Sequence, residues 1–87
     1  MGELQVNVVS ADREVWSGAA KQIVARTTEG EIGILPGHEP LLGILGAGEV
    51  RITPVDGGVL VARAEGGFLS VENDTVTIVA GRAELLS

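Results

Sequence analysis

The chain offers few groups that could do covalent chemistry. Its one histidine, His38, is the only imidazole. A general base of that kind needs a nucleophile within hydrogen-bond reach. The hydroxyls of Ser10, Ser17 and Ser70 are spread along the chain, and none lies in a G-x-S-x-G turn. There is no cysteine, which removes thiolate chemistry, disulfides and cysteine-held metal, and fits a reducing compartment. One histidine leaves only carboxylates for a metal, and Asp12, Asp56 and Asp74 sit in separate turns without calcium-loop spacing. The glycine-rich pieces Gly43 to Gly48 and Gly57-Gly58 lack the lysine and following helix of a phosphate loop. Lys21, the only lysine, raises a carrier reading, because lipoyl and biotinyl domains present a modified lysine at a hairpin tip. Its context here is AAKQI, near the start of a strand-like run. No cofactor and no metal is expected.

The remaining chemistry is that of contact. In GEIGILPGHEPLL, residues 30 to 42, acids flank a glycine, and two prolines frame His38 and Glu39. Proline lowers the entropy lost when such a loop binds. Twelve acids against six bases give a net charge of −6. The bases Arg13, Lys21, Arg26, Arg51, Arg63 and Arg82 form no run, so nucleic acid is a poor partner and anionic lipid is repelled. No apolar stretch approaches the ~20 residues of a membrane span. The opening MGELQVNVVS has no basic region or apolar core, so it is not expected to act as a signal peptide.

These residues must be held by strands. Leu4, Val6 and Val8 alternate with polar neighbours, and Ile23, Ala25 and Thr27 repeat the period of two. Turn signals follow at Ala11-Asp12, Glu29-Gly30, Asp56-Gly57 and Asn73-Asp74, with breaks at Gly18 and Gly66-Gly67. The pattern predicts one all-β domain, an antiparallel β-sandwich or flattened barrel of about eight to ten short strands. Val59 to Ala64 is apolar at nearly every position, so it is expected to be buried on both faces. Pro36 to Gly48 reads as a long crossing loop whose leucines point inward. Ala83 to Ser87 is rich in helix formers, so the domain is expected over 1–82 with 83–87 as the stub of a linker. With a mean hydropathy of +0.34 and only Trp16 and Phe68 as aromatics, the core must be aliphatic. Part of the apolar surface is expected to meet another protein. The residues alone therefore support an all-β interaction domain, with a carrier domain on Lys21 and a small hydrolase centred on His38 as alternatives.

Four blocks add a family. LQVNVVSADREVWSG (4 to 18), EGEIGILPGHEPLLGIL (29 to 45), GEVRI (48 to 52) and GGFLSVENDTVTIVA (66 to 80) occur in that order. Together they resemble the N-terminal β-sandwich domain of the epsilon subunit of bacterial F-type ATP synthase. The second block is the most specific. The resemblance implies a non-catalytic central-stalk subunit that docks on the gamma subunit and on the ring of c subunits. It would couple proton-driven rotation to ATP synthesis, peripherally at the cytoplasmic face of the cell membrane. By position it implies c-ring contact at Glu29, Gly30 and Glu31, and contact at the junction of gamma and ring through His38, Glu39, Leu41 and Leu42. The family usually continues into a helical hairpin that inhibits hydrolysis and in some members binds ATP. That hairpin is absent from these 87 residues, so no nucleotide is expected on them.

Overall fold

The computed structural model describes residues 2–86 and shows seven strands and no helix among them. They are β1 (Leu4–Ser10), β2 (Arg13–Thr27), β3 (Gly30–Ile34), β4 (Leu41–Ile44), β5 (Gly48–Pro54), β6 (Leu60–Glu72) and β7 (Thr75–Leu85). The all-β expectation holds. Strands are fewer and longer than the turn signals suggest, because β2 runs through Gly18 and β6 runs through Gly66-Gly67.

Those long strands build the sandwich, because each belongs to two layers. The first layer, sheet I, runs from β4 through residues 68–71 of β6, the start of β7 and β1 to residues 13–20 of β2. The second, sheet II, runs from β3 through residues 20–27 of β2, β5 and the start of β6 to the end of β7. Every pairing is antiparallel except that of β1 with β7, which is parallel. These two strands are far apart in sequence, so no tight turn dictates their relative direction.

The bends between layers have local causes. In β2 the register with β5 shifts between Ala20 and Gln22, so Lys21 is the extra residue of a bulge. The burial pattern changes phase there: Ala20 is buried, Lys21 and Gln22 are exposed, and Ile23 is buried. In β6, Gly66 and Gly67 adopt φ of +68° and +151°. A Cβ on Gly67 would collide with the Val79 carbonyl oxygen and lie 2.8 Å from Ala80 Cα, so only glycine lets β7 pass this close.

Inward residues of both layers form the core. Leu4, Val6, Val8, Ile23, Ile34, Val50, Ile52, Leu69, Val71, Val76 and Ile78 are all buried. The core holds no aromatic ring: Trp16 packs against its flank and Phe68 faces outward. The buried hydroxyl of Ser10 bonds Asp12 and the Arg13 carbonyl, and no buried side-chain nitrogen or oxygen among the described residues lacks a partner.

Three local expectations are corrected, and the placing of Lys21 in a strand holds. Residues 41–44 are a strand and not part of a loop, and its outward residues Leu42 and Ile44 are 72% and 58% exposed; of the leucines there, Leu45 is buried and Leu41 half-buried. Val59 to Ala64 is not covered on both faces, since Val59 and Arg63 are exposed. The helix formers at 83–85 continue β7, with Ala83, Glu84 and Leu85 opposite Ala64, Arg63 and Ala62. A free strand edge on β6 outweighs the few tenths of a kcal/mol per residue that helix propensity supplies; Ser87 lies outside the described residues. Lys21 is at the β2 bulge and not at a hairpin tip, so the carrier reading loses its geometry.

Candidate docking surface

The expected contact residues are carried by β2, β3, β4 and their connections. Glu29-Gly30-Glu31 closes the β2–β3 hairpin. Thr27 organises it: its buried hydroxyl donates to the Gly30 carbonyl at 2.8 Å and accepts the Glu29 N–H at 3.2 Å. Gly30 has φ of +120°. Both acids are exposed, and Glu31 stands directly across from Arg26.

His38 and Glu39 lie beyond the far end of β3, in the connection that crosses from the edge of sheet II to the edge of sheet I. Leu35-Pro36-Gly37-His38 forms a β-turn, with the His38 N–H donating to the Leu35 carbonyl at 3.1 Å. Pro36 precedes Gly37 at φ of +88°, the residue pair that a type II turn favours. His38 is half-buried, and its Nδ1 lies 2.7 Å from the Glu39 carbonyl oxygen. It is therefore held against its own loop. The Ser17 hydroxyl donates to Asn7 Oδ1 at 2.9 Å, and that of Ser10 is committed as described. Neither is directed at His38, so the hydrolase reading finds no nucleophile in them. Among the described residues, no group of three or more histidine, aspartate or glutamate side chains could hold a metal.

The structure brings Glu29 together with Leu41 and Leu42. A cleft of about 260 Å³ runs between the β2–β3 turn and β4, lined by Thr28, Glu29, Ile32, Leu41, Leu42 and Ile44. His38 and Glu39 do not join it. The hairpin turn and the proline loop sit at opposite ends of β3 and β4, so they cannot form one compact site.

A broader feature escaped the sequence. Across the outer face of sheet I, strand pairing aligns Ile44 with Phe68, Phe68 with Val79, and Val79 with Val9. Beside this apolar row lies a second: Leu42, Ser70, Thr77, Asn7 and Ser17. No residue of either row ionises. Charge returns at the margins, at Glu14 opposite Val9 and at Glu72. Sheet II carries most of the charge, although Val24 and Val61 flank Arg51 across its strands. Its outer face aligns Glu31 with Arg26, Glu49 with Arg63, Arg63 with Glu84, and Glu65 with Arg82. Arg26, Glu31, Glu49 and Arg51 line a shallow depression there of about 240 Å³. Cross-strand opposite charges make such a face self-neutral and well solvated. A face on which Leu42, Ile44 and Phe68 are exposed among mostly half-buried valine, hydroxyl and amide side chains suits a partner.

The family model for the ATP synthase, Delta/Epsilon chain, beta-sandwich domain matches residues 3–86. The chain belongs to this delta/epsilon family. An ATP synthase epsilon chain of Micrococcus luteus is 55% identical over 85 residues, which cover 98% of this chain and 93% of the relative. One from Streptomyces coelicolor is 54% identical over 83 residues, 95% of this chain and 67% of that one. Among solved structures, a chain in the Euglena gracilis mitochondrial ATP synthase, described as OSCP/F1/c-ring, superposes with a TM-score of 0.90 at 25% identity. The match covers 98% of this chain and 54% of that one, so this chain spans about half of its Euglena counterpart. A chain of the Tetrahymena thermophila central stalk/c-ring assembly shares the fold, with a TM-score of 0.75 at 20% identity, over 94% of this chain and 66% of that one. The delta/epsilon sandwich thus accounts for all seven strands.

Proposed function

We propose that this chain is a non-catalytic rotor element of an F-type ATP synthase, seated on the central stalk by the outer face of sheet I. Family membership gives the complex. The observation that carries the orientation is the division of charge between the two faces. Transfer of the apolar row from water into an interface is favourable, whereas burial of the Glu–Arg ladders of sheet II requires every charge to find a new partner. The gamma subunit is the partner of the sheet I face, with Leu42 and the His38–Glu39 loop at its border. The Glu29-Gly30-Glu31 turn meets the polar loops of the c-subunit ring. The chain lies peripherally at the cytoplasmic face of the membrane, as part of the complex, and carries torque without chemistry of its own.

Purification of the tagged chain from its own membranes tests this directly. The native chain should bring down gamma and c subunits together. A Glu29→Lys, Glu31→Lys variant should lose c more than gamma and keep its melting temperature, because both side chains are exposed. Equal recovery of c with the variant contradicts the ring assignment.

A further inference from the structure

Asp74 belongs to no part of the site described so far, yet three segments converge on it. It follows Asn73 in the β6–β7 turn, and both have left-handed backbones, with φ of +49° and +61°. Its backbone carbonyl accepts the Gln5 N–H at 2.8 Å, which ties the turn to β1. Its carboxylate Oδ1 accepts the Gly37 N–H at 2.7 Å, across 37 residues of sequence. Gly2 packs beside both groups: a Cβ there would lie 3.2 Å from Pro36 Cβ and 3.6 Å from Asp74 Oδ2.

The N–H that Asp74 holds is the one that distinguishes two forms of the Leu35–His38 turn. Types I and II share their end residues and differ by a flip of the central peptide, here the Pro36–Gly37 bond. Flipping it would carry the Gly37 N–H away from the carboxylate and expose the carboxylate to the carbonyl oxygen. An ionised carboxylate accepts hydrogen bonds and cannot donate them, so it favours the present form over the flipped one. Proline and glycine bias the turn locally, and Asp74 fixes it from another hairpin.

We infer that Asp74 is a positioning residue that latches the Pro36–Gly37 peptide and so presets the His38–Glu39 loop for docking on the stalk. The inference rests on the docking role proposed for that loop. A preset loop loses less entropy on binding, so the latch acts on affinity through residues that Asp74 itself does not contact in the partner.

Two variants separate the latch from the turn. Asp74→Gly keeps a backbone that tolerates positive φ but removes the carboxylate. Asp74→Asn keeps an acceptor oxygen and also tolerates that conformation. The experiment measures rebinding of the chain to ATP synthase purified without it, together with hydrogen exchange at the Gly37 amide. For Asp74→Gly we expect faster Gly37 exchange and affinity lower by about five- to thirtyfold, the range of one partly exposed charge-assisted hydrogen bond. Asp74→Asn should restore both. In a His38→Ala background the Asp74→Gly loss should shrink, because the loop no longer presents its side chain; a purely structural role would leave the loss unchanged. Unaltered Gly37 exchange in Asp74→Gly overturns the latch. Faster exchange with native affinity overturns its role in docking, provided that Leu42→Asp on the sheet I face does weaken binding. If Leu42→Asp also binds like the native chain, the docking role itself fails, and the inference falls with it.

Discussion

Leu42 separates docking from folding more cleanly than any other residue of the proposed face. Its side chain is 72% exposed, so most of its apolar surface is left for a partner to cover. Full burial of a leucine contributes about 1.5–3 kcal/mol. Scaled by the exposed share, Leu42→Ala should cost about 1–2 kcal/mol of binding, or about five- to thirtyfold in affinity. Only the small remainder contributes to the fold, under about 1 kcal/mol, which lowers the melting temperature of a domain this size by about 2–7 °C, at about 4–8 °C per kcal/mol. Leu42→Asp should go further, because docking would then bury a carboxylate without a partner, at a cost of several kcal/mol. Titration of the chain onto ATP synthase lacking it, with a parallel thermal melt, measures both quantities. Two controls frame the result. Ile52→Ala, in the core at 0% exposure, should lose about 2–5 kcal/mol of stability. Arg51→Ser, on the exposed face of sheet II, should change neither quantity. The reasoning is refuted if Leu42→Asp keeps native affinity, or if Leu42→Ala melts as early as Ile52→Ala.

Two further predictions test how the strands are bent. Gly67→Ala should destabilise the chain by more than about 2 kcal/mol, since its Cβ meets the β7 backbone, which cannot rotate away as a side chain could; denaturant titration reads this, and a loss under about 0.5 kcal/mol would show that β6 and β7 can move apart. Gly18→Ala would place a methyl 2.9 Å from Trp16 Cζ2, so the ring must shift. Trp16 is the sole tryptophan, and its fluorescence should change with about 1 kcal/mol of destabilisation, while an unchanged spectrum would contradict the ring's placement over Gly18.

What was readable in the sequence was local. The alternation in β1 and the turn at Asn73-Asp74 follow from side-chain period and backbone sterics within a few residues. The crossing role of Pro36 to Pro40 was also readable, because proline and glycine chemistry is local. What depended on a distant strand was not. Nothing near Gly66-Gly67 says that β6 continues beyond it; that follows from β7 lying alongside. Leu42 read as an inward leucine from composition and as a contact residue from the family motif, and only the pairing of β4 with the outer residues Ser70 and Phe68 shows that Leu42 and Ile44 face solvent. The strand at 83–85 ran against helix propensity because β6 offered it an edge. The division of charge lies between these cases. Arg63 and Glu65, and Arg82 and Glu84, repeat at the strand period, as do the uncharged Thr75, Thr77 and Val79, but only the register shows that each set shares a face. The turn at Glu29–Glu31 and the His38 loop are only a few residues apart in sequence, and only the strand pairing shows that they lie at opposite ends of β3 and β4.

In the assembled enzyme the uncharged face of sheet I should be the covered one. Because the chain has no cysteine, a single introduced thiol reports on one position. Ser70→Cys lies in the middle of the sheet I face and Arg51→Cys in the middle of the sheet II face. Maleimide labelling of each should be compared between the free chain and the assembled ATP synthase. Assembly should strongly slow labelling at residue 70 and leave residue 51 almost unchanged. Protection at residue 51 with free labelling at residue 70 would contradict it.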